Sequence, residues 1–102
     1  MSATQRIASG RTAPGQGWKV YSPTGIYIEV NTSSAEFTGT PTYVSSLGGD
    51  GTQWAFSGAS AIYAPTRNGF VIYLRWLDNS PLTPAYAAQY NFHINWIGID
   101  ET

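Results

Sequence analysis

The chain consists of short β-rich runs, and turn-forming residues interrupt these runs at fairly regular intervals. No stretch of about 11 residues has the apolar spacing of an amphipathic helix. Such a rhythm is typical of an all-β sandwich or barrel. The pattern therefore predicts no helix, and it predicts strands at residues 5–11, 17–21, 25–31, 41–47, 53–64, 69–77 and 89–99.

Three of the breaks have clear turn chemistry. Ser22-Pro23-Thr24-Gly25 reads as a tight turn, because proline is favoured at the second position. Asp50-Gly51 and Asn68-Gly69 are strong hairpin signals, since both dipeptides suit the turns that join antiparallel strands. The last third of the chain is predicted to form one long hairpin, with arms at residues 69–76 and 90–99 and a polar loop at residues 77–89.

Length and charge narrow the classes of function. The 102 residues suffice for one compact domain, residues 1–102, and not for two. A net charge of −1 argues against nucleic acid and anionic lipid as partners, because both require a basic surface. Only 11% of the residues are charged and 15% are aromatic, which indicates that another copy of the chain covers part of the surface. No basic segment or apolar run opens the chain and no long apolar stretch follows, so neither a signal peptide nor a membrane span is predicted.

The chemistry of most enzymes is missing. The chain has no cysteine and one histidine, His93, so thiolate metal sites are excluded and most zinc arrangements with them. No serine lies in a Gly-x-Ser-x-Gly pattern, and the six acidic residues are scattered. We therefore expect a protein that is not an enzyme and uses neither a metal nor a cofactor.

The residues around the predicted hairpin loop are the candidate ligand-binding residues. Trp76 is followed by Asp78 and Asn79, and an indole ring beside a carboxylate and an amide is a usual combination for sugar binding. Tyr86 and Tyr90 flank the far side of the loop and would close a pocket opposite Trp76. The alternatives are that Trp76 belongs to the core, that Asp78 and Asn79 only form a turn, and that the tyrosine hydroxyls lie in water.

Other polar and aromatic residues have predicted structural roles. His93 and Asn95 share one face of the last strand, whereas Phe92, Ile94 and Trp96 share the other, and the pattern leaves open which face is buried. His93 is expected to be a hydrogen-bonded structural residue, and the alternatives are a place at a subunit interface or a contact with a ligand.

Among the remaining residues, Trp54 is expected to be exposed near a loop tip, and Trp18 is expected in the core. Arg75 is expected to pair with Glu29 or Asp100, across strands or subunits.

The order of several segments resembles the H-type lectin family, the fold of snail agglutinins and of the C-terminal domain of discoidins. The resemblance covers most of the chain, and its segments are Arg6 to Gly10, Gly17-Trp18, Phe37, Thr40 to Leu47, Thr66 to Phe70, Trp76 and Ile94 to Asp100. It implies a six-stranded antiparallel β-sandwich that assembles as a homotrimer, with pairing of trimers into hexamers left open. It also implies sites for galactose or N-acetylgalactosamine in clefts between protomers.

Carried over by position, the resemblance places Trp76 under the sugar and Tyr90 beside it. The chain departs from the family where a histidine is replaced by Leu77 and where a sugar-binding arginine falls near Ser57. The expected function is thus that of a multivalent lectin, with Trp76, Asp78, Asn79, Tyr90, Tyr86 and Trp54 as its ligand-binding residues. The rival expectation is a trimeric structural or host-recognition tip domain of a phage or virus fibre that does not bind sugar.

Overall fold

The computed structural model describes residues 5–101. Residues 1–4, on which the prediction of no signal peptide depends, and residue 102 lie outside this range. The strands are β1 (Gln5–Arg11), β2 (Lys19–Ser22), β3 (Gly25–Asn31), β4 (Thr42–Gly48), β5 (Phe56–Ser57), β6 (Tyr63–Thr66), β7 (Gly69–Trp76) and β8 (His93–Glu101). An α-helix, α1 (Pro84–Gln89), and two short 3₁₀ helices (Ser33–Ala35 and Gln53–Ala55) complete the fold.

The strands form two antiparallel sheets. The first has three strands in the order β1-β8-β4, and the second has five, with the order β2-β3-β7-β5 and β6 also paired with β7. This sandwich-like arrangement confirms the predicted all-β class with two antiparallel sheets. Residues 5–101 form eight strands, whereas the resemblance implies six.

One hydrophobic core lies between the sheets. The second sheet contributes alternate residues of its two central strands, among them Ile28 and Ile72. The first sheet contributes Ile94 from β8 and Tyr43 from β4. Tyr43 joins the two sheets, because its ring centroid lies 4.5 Å from that of Phe70 on β7. The division of the last strand is confirmed as well: Phe92, Ile94 and Trp96 are buried, and His93 and Asn95 face away from the core.

The prediction of one long terminal hairpin is wrong. β7 pairs with β3, β5 and β6, whereas β8 pairs with β1 and β4 in the other sheet. The intervening residues cross between the sheets and include α1, so the prediction of no helix is wrong too. Ala87 on this helix is fully buried, and its carbonyl accepts a 2.9 Å hydrogen bond from the Phe92 N–H.

Two of the predicted turns are confirmed. β2 and β3 form a hairpin in which Ser22 pairs with Gly25, and β6 and β7 form one in which Thr66 pairs with Gly69. The Asp50-Gly51 segment does not close a hairpin, because the strands before and after it belong to different sheets. The predicted strand at residues 53–64 is divided into a 3₁₀ turn, β5 and β6, with a loop between the two strands.

Trp18 and Trp54 lie as predicted, the first 7% exposed in the core and the second 87% exposed. The pairing expected for Arg75 within the chain is wrong. Glu29 instead pairs with Lys19 at 3.3 Å, and the Asp100 carboxylate accepts hydrogen bonds from Thr38 and Gly39. No helix within residues 5–101 is long and apolar enough to cross a membrane.

Candidate binding site

The predicted aromatic residues of the loop pack against one another. The ring centroids of Trp76 and Tyr86 are 5.0 Å apart in an edge-to-face arrangement, and those of Tyr86 and Tyr90 are 4.7 Å apart. Phe56 on β5 stacks on Trp76 with centroids 4.0 Å apart. All four rings border the hydrophobic core. The space between Trp76 and Tyr86 therefore does not admit a sugar ring, and one face of the indole is already covered. Sugar binding by these residues stays a prediction.

The other three predicted residues occupy different surroundings. Asp78 is exposed, and its Oδ1 accepts a 3.0 Å hydrogen bond from the Ser80 N–H, so the hydrogen bonds from Ser80 hold the pKa of this carboxyl below its usual value. This is the geometry of an Asx turn. Asn79 adopts a left-handed conformation with a φ of 61°. Trp54 stands apart on its 3₁₀ turn, with most of its ring in solvent.

A cluster of four tyrosines lies on the outer face of the five-stranded sheet. Tyr73 is its centre, with ring-centroid distances of 4.9 Å to Tyr21, 5.0 Å to Tyr63 and 5.8 Å to Tyr27. Strand alternation places Tyr73 and Tyr27 there, because their neighbours Ile72, Leu74, Ile26 and Ile28 point into the core. Tyr27 and Tyr73 are direct cross-strand partners. The two outer rings are largely in solvent, with 66% of Tyr21 and 52% of Tyr63 exposed.

This face forms a cleft of about 660 Å³. Tyr73 and Arg75 of β7 lie on its floor with Gly25 of β3. One wall is the β2–β3 hairpin with Tyr21, and the other is the segment from β5 to β6 that ends at Tyr63. We call this feature the tyrosine cleft, and its lining is Tyr21, Ser22, Thr24, Gly25, Ile26, Ser57, Gly58, Ala61, Tyr63, Tyr73, Leu74, Arg75 and Asn79. Its volume falls within the range of small-molecule sites.

Gly58 sets the position of the second wall. Its φ of +109° is a backbone conformation that side chains disfavour, and a Cβ there would collide with the Tyr73 carbonyl oxygen. The Gly58 carbonyl then accepts a 3.0 Å hydrogen bond from the Ala61 N–H, which turns the chain towards β6. A glycine is thus required where the wall meets the floor.

The charges of the tyrosine cleft come from one side chain. Arg75 is exposed and forms no ion pair with any residue between Gln5 and Glu101. No acidic residue belongs to the described lining. The neutral polar groups near it are Ser22, Thr24, Ser57 and the predicted site residue Asn79. The cleft therefore offers hydrogen-bond donors, a positive charge and aromatic faces together.

The outer face continues beyond Tyr73 into a second, smaller hollow. This hollow has a volume of about 310 Å³ and is bordered by Asn31, Asn68 and Val71. Glu29 also lies beside it and is held by Lys19, whose ammonium is 6.0 Å from the centroid of the Tyr27 ring. Polar and aromatic side chains thus follow β3 on this face, whereas on β7 they end at Tyr73 and are followed by Val71.

Sequence reasoning singled out Asn79 and missed the tyrosines. A usable signal was the alternation of β3 and β7, in which Tyr27 and Tyr73 occupy the positions opposite the buried isoleucines. Burial in the core accounts for an aromatic residue at an inward position, whereas one at an outward position indicates a contact surface. The contributions of Tyr21 and Tyr63 required knowledge of which strands are neighbours.

The part of the chain that the structure describes contains no group of three or more His, Cys, Asp or Glu residues that could hold a metal ion. Comparison with models of protein families gives no match for this chain. Comparison with curated proteins also gives no match.

Proposed function

We propose that this protein binds carbohydrate, and that the tyrosine cleft is its binding site. The observation that carries the proposal is the cluster of tyrosines around Tyr73 on an outward sheet face, beside Arg75 and Asn79. Tyrosines placed for packing alone would point into the core, but Tyr21 and Tyr63 are more than half exposed. Large aromatic surface held in solvent is characteristic of a contact surface.

The chemistry of the cleft suits a sugar. Tyrosine rings cover the apolar C–H face of a pyranose, and their hydroxyls remain free to bond its hydroxyl groups. Arg75 and Asn79 supply N–H donors at one end, and Ser57 supplies a hydroxyl. Because Arg75 has no acidic neighbour in the lining, it is also available to a carboxylate or sulfate on the glycan. We therefore expect acidic glycans to bind at least as tightly as galactose or N-acetylgalactosamine.

The H-type lectin fold and the homotrimer remain part of the proposal as features that the family resemblance implies. The two antiparallel sheets are compatible with an all-β sandwich.

A glycan array that includes neutral and acidic glycans tests the proposal. The variants Tyr21→Ala and Tyr63→Ala remove the two exposed rings, whose loss should leave the fold intact. Trp54→Ala is the matched control, because it removes an exposed aromatic ring that lies outside the lining. We expect wild type and Trp54→Ala to bind the same glycans and the two tyrosine variants to lose at least about tenfold in affinity, as expected for a lost aromatic contact.

The opposite pattern would refute the cleft as the site. Loss of binding in Trp54→Ala with retention in both tyrosine variants would favour the site first predicted from the sequence. No binding by the wild-type protein to any glycan would favour the rival function, a structural or host-recognition domain.

A further inference from the structure

The outer face of the three-stranded sheet carries an apolar patch. On the central strand β8, Ile97 and Ile99 face outward. Ile7 on β1 pairs with Ile99, and Val44 on β4 pairs with Ile97. Ile7 is 63% exposed, Val44 59% and Ile97 44%. The residues beside them are short and uncharged, with Ser9 and Thr42 completing the two cross-strand rows.

The charges of this face lie at its two ends. Arg11 follows Ile7 and Ser9 on the outward side of β1, level with Asn95 of β8. Glu101 lies at the far end of β8, level with Gln5, which donates a 3.2 Å hydrogen bond to it. Six residues of extended strand separate the two levels, or about 20 Å, so the two charges cannot meet within one chain.

We propose that a second copy of this chain packs on this face, related by a two-fold axis that lies between the sheets and perpendicular to the strands. That axis reverses the strand direction across the interface. Arg11 of each copy then lies over the Glu101 end of the other. Between the two ends, the axis pairs residues of the same strand in the two copies: Ile97 with Ile99, Ile7 with Ser9, and Val44 with Thr42. A long side chain then opposes a short one in the rows of β1 and β4, and the isoleucines of β8 meet at the centre. Opposite charges oppose each other at both ends.

The other simple two-fold arrangement is disfavoured by charge. An axis along the strands would lay β8 over β8 in the same direction and would place the two Glu101 side chains together. Like charges held close in this way cost interaction energy. Glu101 and Arg11 therefore select one of the two ways in which this face can meet itself.

The size of the face makes the dimer weak. Three strands about 4.8 Å apart and a patch about 20 Å long give a footprint of roughly 300 Å² per copy, compared with about 800 Å² for a stable interface. We therefore expect a weak, transient dimer that forms at high local concentration.

The arrangement has a consequence that rests on the proposed function. The tyrosine cleft lies on the other sheet, so a dimer formed through the three-stranded sheets carries its two clefts on opposite outer surfaces. With sheets about 10 Å apart, the two outermost sheets are roughly 30 Å apart. Such a dimer would bridge two glycan-bearing surfaces, and binding to both raises the overall strength.

Sedimentation-velocity ultracentrifugation of the 11.1 kDa chain, from about 10 µM to 1 mM, tests the dimer without any sugar. The variants are Arg11→Glu, Glu101→Arg and the double variant that exchanges both charges. Each single variant places like charges together at both ends, so we expect it to weaken association at least about tenfold. The double variant should return to within about threefold of wild type, because opposite charges meet again.

Ile97→Lys should abolish association, whereas Val20→Lys should not, since Val20 is 65% exposed on the other sheet and outside the cleft lining. A monomer at all concentrations would overturn the proposal. Self-association that the charge exchange leaves unchanged would also overturn it, whatever its stoichiometry. Glycan binding by the same variants separates the two proposals, because none of these substitutions touches the tyrosine cleft.

Discussion

Replacing Gly58 with alanine should damage both the stability and the binding of this protein. An L-residue with a φ of +109° is strained, and the new Cβ would collide with the Tyr73 carbonyl oxygen. A residue in such a sparsely populated region costs about 1–3 kcal/mol, and the stiffer unfolded chain returns about 0.4–1 kcal/mol. The net loss of unfolding free energy is therefore about 1–2 kcal/mol, which corresponds to a fall in Tm of about 5–15 °C for a domain of this size.

Scanning calorimetry measures the Tm, and titration with a glycan bound by the wild type measures the effect on the site. We expect affinity to fall at least about tenfold, because the wall formed by the β5–β6 segment must move away from Tyr73 to relieve the collision. Gly51→Ala is the control. Gly51 has no positive φ, and its Cβ would meet only Tyr90 ring carbons at 3.9 Å, so its Tm should change by no more than about 3 °C. A Gly58→Ala protein with the Tm and affinity of wild type would refute the role assigned to this glycine.

Three further predictions concern the residues that hold the sandwich together. Tyr43→Phe should lower the free energy of unfolding by about 1–3 kcal/mol, because the Tyr43 hydroxyl makes two 2.7 Å hydrogen bonds, one with the fully buried Thr32 hydroxyl and one to the Thr66 carbonyl. Urea titration measures this change, and an unchanged midpoint of the urea transition would contradict it. The pKa of Asp100 lies below its usual value, mainly because the Gly39 N–H donates a hydrogen bond to the carboxylate. The ionised carboxylate therefore stabilises the fold at pH values above its ordinary pKa, and this stability is lost as the pH falls through the folded-state pKa. Asp100→Asn should remove this part of the acid sensitivity when Tm is measured against pH, and an unchanged slope would count against it. Trp76→Ala should cost about 2–4 kcal/mol, since it deletes the ring stacked on Phe56, and a stability equal to that of wild type would show that this contact contributes little.

Local patterns predicted the local structure well. Pro23 and the Asn68-Gly69 pair marked the positions of two hairpins. Alternation separated Ile94 and Trp96 from His93 and Asn95 on the last strand, and the structure shows that the first pair is the buried one. Each of these features depends on residues close in sequence, where the chemistry of a turn or the period of a strand determines the outcome.

The pairing of strands distant in sequence could not be predicted from such local patterns. The two apolar arms at residues 69–76 and 90–99 suit a hairpin as well as they suit strands of different sheets, and β7 and β8 took other partners. The helix between them is six residues long, which is too short for helical periodicity to appear. Its local signals were present nonetheless, with Pro84 at the first position and Ala85, Ala87 and Ala88 as helix formers.

The candidate site shows the same division. Asn79 was predicted from its place in a polar loop, and it does lie in the cleft lining. Trp76, Tyr86 and Tyr90 were grouped because they flank that loop. The helix turns Tyr86 back onto Phe56, and Tyr90 packs against Tyr86 and Phe92 at the edge of the core. The tyrosine cleft assembles side chains from β2, β6 and β7, so it exists only once the sheet is formed.

Glycan binding at the tyrosine cleft can be observed by NMR titration of the ¹⁵N-labelled protein, with ¹³C-labelled tyrosine rings, using the glycan that gives the strongest signal on the array. Binding at the cleft should produce shifts that concentrate on Tyr21, Tyr63, Tyr73 and the Arg75 guanidinium. Shifts confined to Trp54 and to the rings of Trp76, Tyr86 and Tyr90 would contradict it.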